Sequence, residues 1–302
     1  MQVGLVLGAG GVTGEAYHRG VVRALHDLGW DARGADVLVG TSAGSIVTAS
    51  LRASSAGSPD QIPRSPDTAA IPDVAAPPRA RRLLLGPLRA RPIARAMGLL
   101  PAGRIPTKFL SDGLDRRFGD DWPERDTWIV AVRRRDGRRV VFGRSDAPKA
   151  RIGEAVAASC AIPAYFTPVT IGNTQYVDGG AHSPTNADVL RGRPLDLAMV
   201  SSPMSLRPGS LRPTLDTPIR LRFHRYLNAE LRRLGGNVTH TLTFEPNAEI
   251  AGLMGLNMLS ARNIDEIEEQ SYADARRTLH RSGLVEQLRP PRRRPRSVAV
   301  PG

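Results

Sequence analysis

Residues 39–44, VGTSAG, contain the pattern G-x-S-x-G centred on Ser42. The preceding ADVLVG is typical of a buried strand, and the following SAGSIVTASLRA is typical of a helix. A serine at such a turn is exposed at the helix N-terminus, and Gly40 and Gly44 remove side chains that would clash there. Because glycine and serine are common, the pattern alone is a weak signal, and its meaning depends on the rest of the chain.

The same order of elements precedes it. VGLVL at 3–7 predicts a buried strand, GAGGVTG at 8–14 a glycine-rich turn, and EAYHRGVVRALHDLG a helix that ends at Gly29. The opening therefore reads strand, glycine turn, helix, strand, serine turn, helix. This order predicts an α/β fold with a parallel sheet.

The glycine-rich turn is compatible with two chemistries, phosphate binding and oxyanion stabilisation. A dinucleotide site needs an acidic residue at the end of the second strand, about 20 residues past the loop. That strand instead ends at Gly40, and Asp36 lies at its beginning. The sequence also lacks the G-x-x-x-x-G-K-[ST] pattern of a phosphate loop. We therefore interpret the turn as an oxyanion hole.

A third motif, YVDGG at 176–180, places Asp178 at the end of a predicted hairpin strand. Alone, D-G-G is a common turn. The three motifs in this order resemble the bacterial branch of the patatin-like phospholipase family, which pairs a glycine-rich oxyanion loop with a G-x-S-x-G nucleophile and a D-G-[GA] aspartate. The stretches GVTGEAYHRGVVRAL and AVAASCAIPAYFTPV extend the resemblance, which covers roughly residues 1–55 and 105–200.

This resemblance implies a three-layer α/β/α fold with a mainly parallel central sheet. It implies Ser42 as the nucleophile, Asp178 as its base and the backbone N–H groups of Gly10 and Gly11 as the oxyanion hole. The other motif glycines are expected to shape the three turns; they are Gly8, Gly14, Gly40, Gly44, Gly179 and Gly180. One residue departs from the family pattern, since Thr13 stands where the family usually has arginine or lysine.

The implied activity is that of a serine acyl hydrolase acting on lipid esters, of the phospholipase A or lysophospholipase type, without a cofactor or metal. Two alternatives stay open: a Ser-His-Asp esterase, and a catalytically weak scaffold that binds membranes. His182, His224 and His240 all follow Asp178, so the chain order permits a triad. We expect His182 in a loop beside the site and the other two at the surface.

Two further residues near the motifs have structural interpretations. His18 follows the oxyanion loop on the first predicted helix, where we expect it to pack or to form hydrogen bonds. Cys160 is the only cysteine, which excludes an internal disulfide framework. We expect it to be a small buried residue rather than a reactive thiol.

The formal net charge of +13 is concentrated in two segments. Residues 79–104 carry seven arginines and residues 289–302 carry five, with no acidic residue in either, so these twelve account for all but about one unit of the excess. Compositional drift from a GC-rich coding sequence and attraction to anionic phospholipid headgroups explain this charge equally well. Nucleic acid is not expected as a partner, because no recognition helix or set of stacking aromatics accompanies the arginines.

We predict a single domain over residues 1–288, interrupted at about 53–104 by a Pro/Ala/Arg-rich insertion that is either a lid or disordered. The basic tail at 289–302 is predicted to be disordered. The N-terminus has no basic segment followed by a long apolar one, and no apolar stretch reaches the ~20 residues of a membrane span. The expected location is therefore cytoplasmic, with peripheral contact at the inner membrane face.

Overall fold

The computed structural model describes residues 1–53, 100, 102–209 and 214–288. Most of the predicted insertion at 53–104 and the whole predicted tail at 289–302 lie outside these residues. Within the described ranges, no helix is both long and apolar enough to cross a membrane.

A single sheet forms the centre of the described structure, with strand order β5-β6-β3-β2-β1-β7-β8 and β4 paired to β3. The five strands β3, β2, β1, β7 and β8 run parallel, whereas β4, β5 and β6 join by antiparallel pairing. The strands are β1 Val3–Leu7, β2 Val37–Thr41, β3 Asp126–Arg133, β4 Arg139–Phe142, β5 Val169–Ile171, β6 Thr174–Asp178, β7 Leu195–Ser201 and β8 Val238–Phe244.

Helices cover both faces of this sheet. They are α1 Gly11–Asp27, α2 Ala43–Ala53, α3 Lys108–Phe118, α4 Ile152–Ser159, α5 Thr217–Leu234, α6 Ala248–Met254, α7 Ile264–Ser282 and α8 Val285–Leu288. Because successive strand residues point to opposite faces, Leu5 and Leu38 pack in the core with α1 and α7, whereas Val6 and Val39 pack in the core with α5. The fold is therefore a three-layer α/β/α arrangement with a mainly parallel sheet, as predicted.

Both predicted hairpins are present. β3 and β4 are joined through a turn that contains Asp136 and Gly137, and β5 and β6 through Gly172 and Asn173. Gly137 and Gly172 adopt positive φ angles of 69° and 56°. Such angles cost glycine nothing, which is why turn chemistry in the sequence located both hairpins correctly.

The pairing on β3 brings two distant parts of the chain together. On one edge of β3, residues 129–132 pair with β4. On the other edge, β2 pairs with β3 as far as Val130, which lies opposite Thr41. From Ala131 onward the partner on this edge is β6, and Ala131 lies opposite Asp178. Strands β2 and β6 therefore meet end to end along one edge, and Ser42 and Asp178 lie at their junction.

Candidate active site

Ser42 lies in the turn between β2 and α2, and its backbone is left-handed, with φ of 53°. This conformation costs a non-glycine residue about 1–3 kcal/mol and persists only where its surroundings hold it. The Ser42 N–H donates to the Ser159 hydroxyl over 2.9 Å, and the Ser42 carbonyl accepts from the Ser45 hydroxyl over 2.6 Å. Hydrogen bonds on both sides therefore fix the predicted nucleophile. The expected exposure of this serine is not found, because Ser42 is only 5% exposed.

Asp178 is the last residue of β6 and is buried. Its Oδ1 atom accepts from the Gly180 N–H over 2.6 Å, and a side-chain hydrogen bond joins the carboxylate to Ser42. Burial raises the pKa of Asp178 to about 6, whereas the hydrogen bonds from Ser42 and Gly180 act in the opposite direction. The structure thus joins the two side chains that the sequence predicted as a pair, although 136 positions separate them in the chain.

The glycine-rich loop lies against the Ser42 turn because Gly44 allows a close approach. A Cβ atom at Gly44 would lie 1.9 Å from the Leu7 carbonyl oxygen, so no other residue fits without moving β1. The Gly44 N–H donates to the Gly8 carbonyl over 3.1 Å. The remaining motif glycines lie in the first turn of α1, at the end of β2 and after β6; they are Gly14, Gly40, Gly179 and Gly180.

The predicted oxyanion donors lie where the loop enters α1. The Ala9 N–H donates to the Pro184 carbonyl over 2.7 Å. By contrast, the N–H groups of Gly10 and Gly11 have no acceptor within the described part of the chain. They lie at the N-terminus of a 17-residue helix, where unpaired N–H groups and the helix dipole favour negative charge. This end of α1 can therefore stabilise an anion.

His18 holds the base of this loop. Its Nε2 lies 2.7 Å from the Gly8 carbonyl oxygen and its Nδ1 lies 2.8 Å from the Ser201 Oγ atom. A carbonyl oxygen can only accept, so Nε2 carries the proton and Nδ1 accepts from the Ser201 hydroxyl. Burial lowers the pKa of His18 to about 4, which keeps the ring neutral at physiological pH. The expected hydrogen-bonding role of His18 is confirmed.

Thr13 shows what replaces the basic residue of the family pattern. It is fully buried; its hydroxyl donates to the Gly10 carbonyl over 3.3 Å and its N–H donates to the Met258 carbonyl over 3.1 Å. The segment that contains Met258 therefore covers this side of the loop. In this chain the loop is anchored by a hydroxyl and backbone contacts rather than by a cationic side chain.

The three histidines considered for a triad, His182, His224 and His240, lie in different environments. In the described residues, the hydrogen bonds of Ser42 and Asp178 involve no imidazole. His182 is half-buried in the loop after β6, and its backbone N–H donates to Gly179. His240 is exposed on β8, as expected.

The expectation of a surface position is wrong for His224. Its Nδ1 lies 2.7 Å from a carboxylate oxygen of Glu245, and its Nε2 lies 2.8 Å from the Asn228 side chain. The His224 side chain is 19% exposed, and that of Glu245 only 6%. The buried carboxylate at the end of β8 requires a donor, and α5 supplies it.

Sequence reasoning missed two residues that contact the junction. Ser159, at the end of α4, binds the Ser42 N–H. Asn186 adopts a left-handed φ of 54°, and its Nδ2 lies 3.2 Å from the Thr41 hydroxyl and 3.3 Å from the Gly179 carbonyl oxygen. Asn186 thus ties the residue before Ser42 to the residue after Asp178. Ser159 lies in the stretch AVAASCAIPAYFTPV, which extends the family resemblance but gives no sign of a contact with Ser42. Asn186 lies outside every motif that the sequence singled out.

Cys160 is buried beside the site, as expected. Its sulfur lies 3.7 Å from the Ser45 hydroxyl and also contacts the Ser42 side chain. Burial, followed by the charge of Asp178, raises the pKa of Cys160 well above its usual range. The thiol therefore stays protonated and is a poor nucleophile.

Together these residues provide the components of an acyl-transfer site. A hydroxyl is hydrogen-bonded to a buried carboxylate that is more basic than usual, and the Gly10 and Gly11 N–H groups on the adjacent loop have no acceptor among the described residues. Such a set can deprotonate an attacking serine and stabilise the oxyanion that results.

Comparison with known proteins gives a family match, and the similar solved structures include ExoU and VipD. The patatin-like phospholipase family matches residues 5–191. The type III effector protein ExoU is 18% identical, with 95% of this chain and 53% of ExoU covered and a TM-score of 0.42. VipD from Legionella pneumophila is 12% identical, with 93% of this chain and 67% of VipD covered and a TM-score of 0.43.

The chain spans about half the length of ExoU. No curated protein sequence matches the chain. The family match, however, includes the end of β1, the glycine-rich loop, the Ser42 turn and the Asp178 strand, and it covers more than half of the 302 residues. On this basis the chain belongs to the patatin-like phospholipase family.

Proposed function

We propose that the protein is a serine acyl hydrolase that cleaves acyl esters of lipids, with Ser42 as nucleophile and Asp178 as general base. The observation that carries this proposal is the hydrogen bond between Ser42 and a buried carboxylate whose pKa lies near 6. A carboxylate with the usual pKa of Asp is a weak base for a serine hydroxyl. The raised value brings Asp178 closer to the operating pH, where general-base catalysis is most effective.

The reaction proceeds in two halves. Asp178 removes the hydroxyl proton as Ser42 Oγ attacks the ester carbonyl carbon, and the carbonyl oxygen becomes an oxyanion bound by the N–H groups of Gly10 and Gly11. When the tetrahedral intermediate collapses, the ester C–O bond breaks and Asp178 returns the proton to the leaving alcohol. Water then attacks the acyl-enzyme by the same route, which releases the fatty acid and regenerates the Ser42 hydroxyl.

The Ser-His-Asp alternative has less support. A triad histidine must be hydrogen-bonded to the serine, with the acid on its other ring nitrogen. Here the carboxylate itself bonds Ser42, and His224 is bound by Glu245 and Asn228 instead. A scaffold without activity would not need the Ser42–Asp178 hydrogen bond or the free loop donors.

The direct test is fatty-acid release from phosphatidylcholine and lysophosphatidylcholine, measured by mass spectrometry with purified protein. Wild type should release fatty acid, and Ser42→Ala should lose about 10³-fold or more of that activity. Ser282→Ala is a matched control because it removes a hydroxyl that bonds only within α7 and the turn that follows it, and it should retain wild-type activity. Equal activity of wild type and Ser42→Ala would contradict the proposal.

We also propose peripheral contact with anionic membranes. This proposal rests on charge alone, since the arginines of 79–104 and 289–302 lie largely outside the described residues. A basic segment near an anionic surface gains about 1 kcal/mol per arginine. The protein would then reach its substrate lipid at the membrane surface to which its basic segments bind.

A further inference from the structure

The hydrogen-bond ladder on β3 is interrupted where β2 and β6 meet. β2 pairs with β3 as far as Val130, and β6 pairs from Ala131 onward. At this break, the Val130 carbonyl accepts from the Ser159 hydroxyl over 2.6 Å, and the same oxygen of Ser159 accepts from the Ser42 N–H over 2.9 Å. One hydroxyl thus bridges a backbone acceptor and a backbone donor that lie in the break between the two strands.

The Ser159 hydroxyl acts here both as donor and as acceptor. A hydroxyl has one proton to donate and lone pairs to accept. Here the proton goes to Val130, and one lone pair receives the Ser42 N–H. Ser159 is fully buried, so water cannot take over either bond.

The same end of α4 also holds the other member of the pair. The Asp178 N–H donates to the Ala161 carbonyl over 2.9 Å, and the Cys160 thiol contacts the Ser42 side chain. Residues 159–161 therefore contact both Ser42 and Asp178. The separation of the two catalytic groups depends on this short segment as well as on the sheet.

We propose that Ser159 is a positioning residue of the dyad, holding Ser42 in the backbone conformation that directs its hydroxyl at Asp178. This inference rests on the proposed function, because it assigns Ser159 a role in that reaction. Ser159 touches neither substrate nor the reacting atoms and acts only through Ser42.

Loss of the hydroxyl has a predictable local consequence. In Ser159→Ala, a buried N–H and a buried carbonyl both lose their partner, and the left-handed Ser42 loses the hydrogen bond on its N–H side while the bonds to its carbonyl oxygen stay. Ser42 can then relax, and its hydrogen bond to Asp178 weakens. Because that hydrogen bond lowers the pKa of Asp178, its loss shifts the pKa further upward.

The test compares Ser159→Ala, Ser159→Thr and Ser111→Ala with wild type on a short soluble ester. The threonine variant keeps the hydroxyl. The control, Ser111→Ala, removes a buried hydroxyl that donates to the Lys108 carbonyl on the neighbouring helix α3. We expect Ser159→Ala to lose about 10- to 100-fold in kcat with little change in KM, as a small misplacement of a reacting group would cause. The acidic limb of its pH–kcat/KM profile should move to higher pH.

Ser159→Thr should recover most of the kcat and the wild-type pH profile, and Ser111→Ala should match wild type in both. If Ser159→Ala does not fold, Ser159→Cys replaces it in the test, because a thiol has a similar shape but forms weaker hydrogen bonds. Its kcat and its acidic limb should then change in the same direction as for Ser159→Ala, but by less. Wild-type kcat and pH profile in folded Ser159→Ala or Ser159→Cys would overturn the inference. The proposed function fails separately, if Ser42→Ala remains active.

Discussion

Burial gives Asp178 a basicity that an exposed carboxylate lacks. In the proposed reaction Asp178, whose pKa is about 6, must be ionised to take the Ser42 proton. Below that pH the carboxylate is protonated and cannot act as a base. The pH dependence of the reaction therefore reports on this one residue.

The first prediction is an acidic limb of kcat/KM with a midpoint near pH 6 in the free enzyme. Activity should fall about tenfold for each pH unit below it, since only the ionised fraction is active. The measurement is the rate on a soluble ester from pH 4.5 to 9. A profile that stays flat down to pH 4.5 would contradict the assignment of Asp178 as base.

The same burial makes the ionised Asp178 side chain destabilise the folded protein. The pKa of Asp178 is about 6 in the folded protein, compared with the ordinary 3.8 in the unfolded chain. Between these values the folded protein binds more protons than the unfolded chain, so the free energy of unfolding falls as the pH rises from about 4 to about 6. Asp178→Asn can keep both hydrogen bonds without the charge. It should therefore be inactive yet more stable than wild type at pH 7.5, by at most about 3 kcal/mol.

Urea unfolding of Asp178→Asn and wild type at pH 7.5 and at pH 5 measures this difference. The gain in the free energy of unfolding should be smaller at pH 5, where wild-type Asp178 is largely protonated. A loss of stability at pH 7.5 would show that the ionised carboxylate stabilises the fold.

The elements that carry the site could be predicted from local pattern. Val3–Leu7 is a continuous apolar run before a glycine turn, and both hairpins follow from their turn residues. The junction of β2 and β6 could not be predicted, because it depends on the register that two distant strands adopt on β3. Ser159 and Asn186 were missed for the same reason, and His224 was misplaced because its partner Glu245 lies on another element.

Asn186 provides a prediction about this junction. Asn186→Gly permits the φ of 54° but removes the amide that donates to the Thr41 and Gly179 oxygens. We expect a loss of about 1–3 kcal/mol in unfolding free energy, because buried acceptors lose their donor. Asn263→Gly is the matched control, since Asn263 has φ of 61° but is exposed, and its effect should stay within about 0.5 kcal/mol. Equal effects of the two variants in urea unfolding would contradict a role for the Asn186 side chain.

Over the whole molecule, the excess positive charge lies in different parts of the chain from Ser42 and Asp178. The residues of the proposed dyad and its loop lie in the part of the chain that is nearly neutral, whereas twelve arginines lie in two segments. If these segments attract anionic lipid, the protein should cosediment with vesicles that contain phosphatidylglycerol but not with phosphatidylcholine alone, and 0.5 M salt should release it. Replacement of the five arginines of 289–302 by glutamine should weaken this binding. Binding that is indifferent to lipid charge and salt would favour compositional drift as the origin of the arginines.

The central claim is that Ser42 is activated by Asp178 without a histidine. Its most direct measurement is the rate of covalent labelling by a fluorophosphonate probe, with the labelled peptide identified by mass spectrometry. We predict a label on Ser42 in wild type, none in Ser42→Ala, a strongly reduced rate in Asp178→Asn, and wild-type rates in the Ala variants of His26, His182, His224, His240 and His280. His18 is set apart, because it holds the Gly8 carbonyl and its loss would disturb the loop. Loss of labelling in any of those five folded histidine variants would contradict the dyad and establish a triad instead.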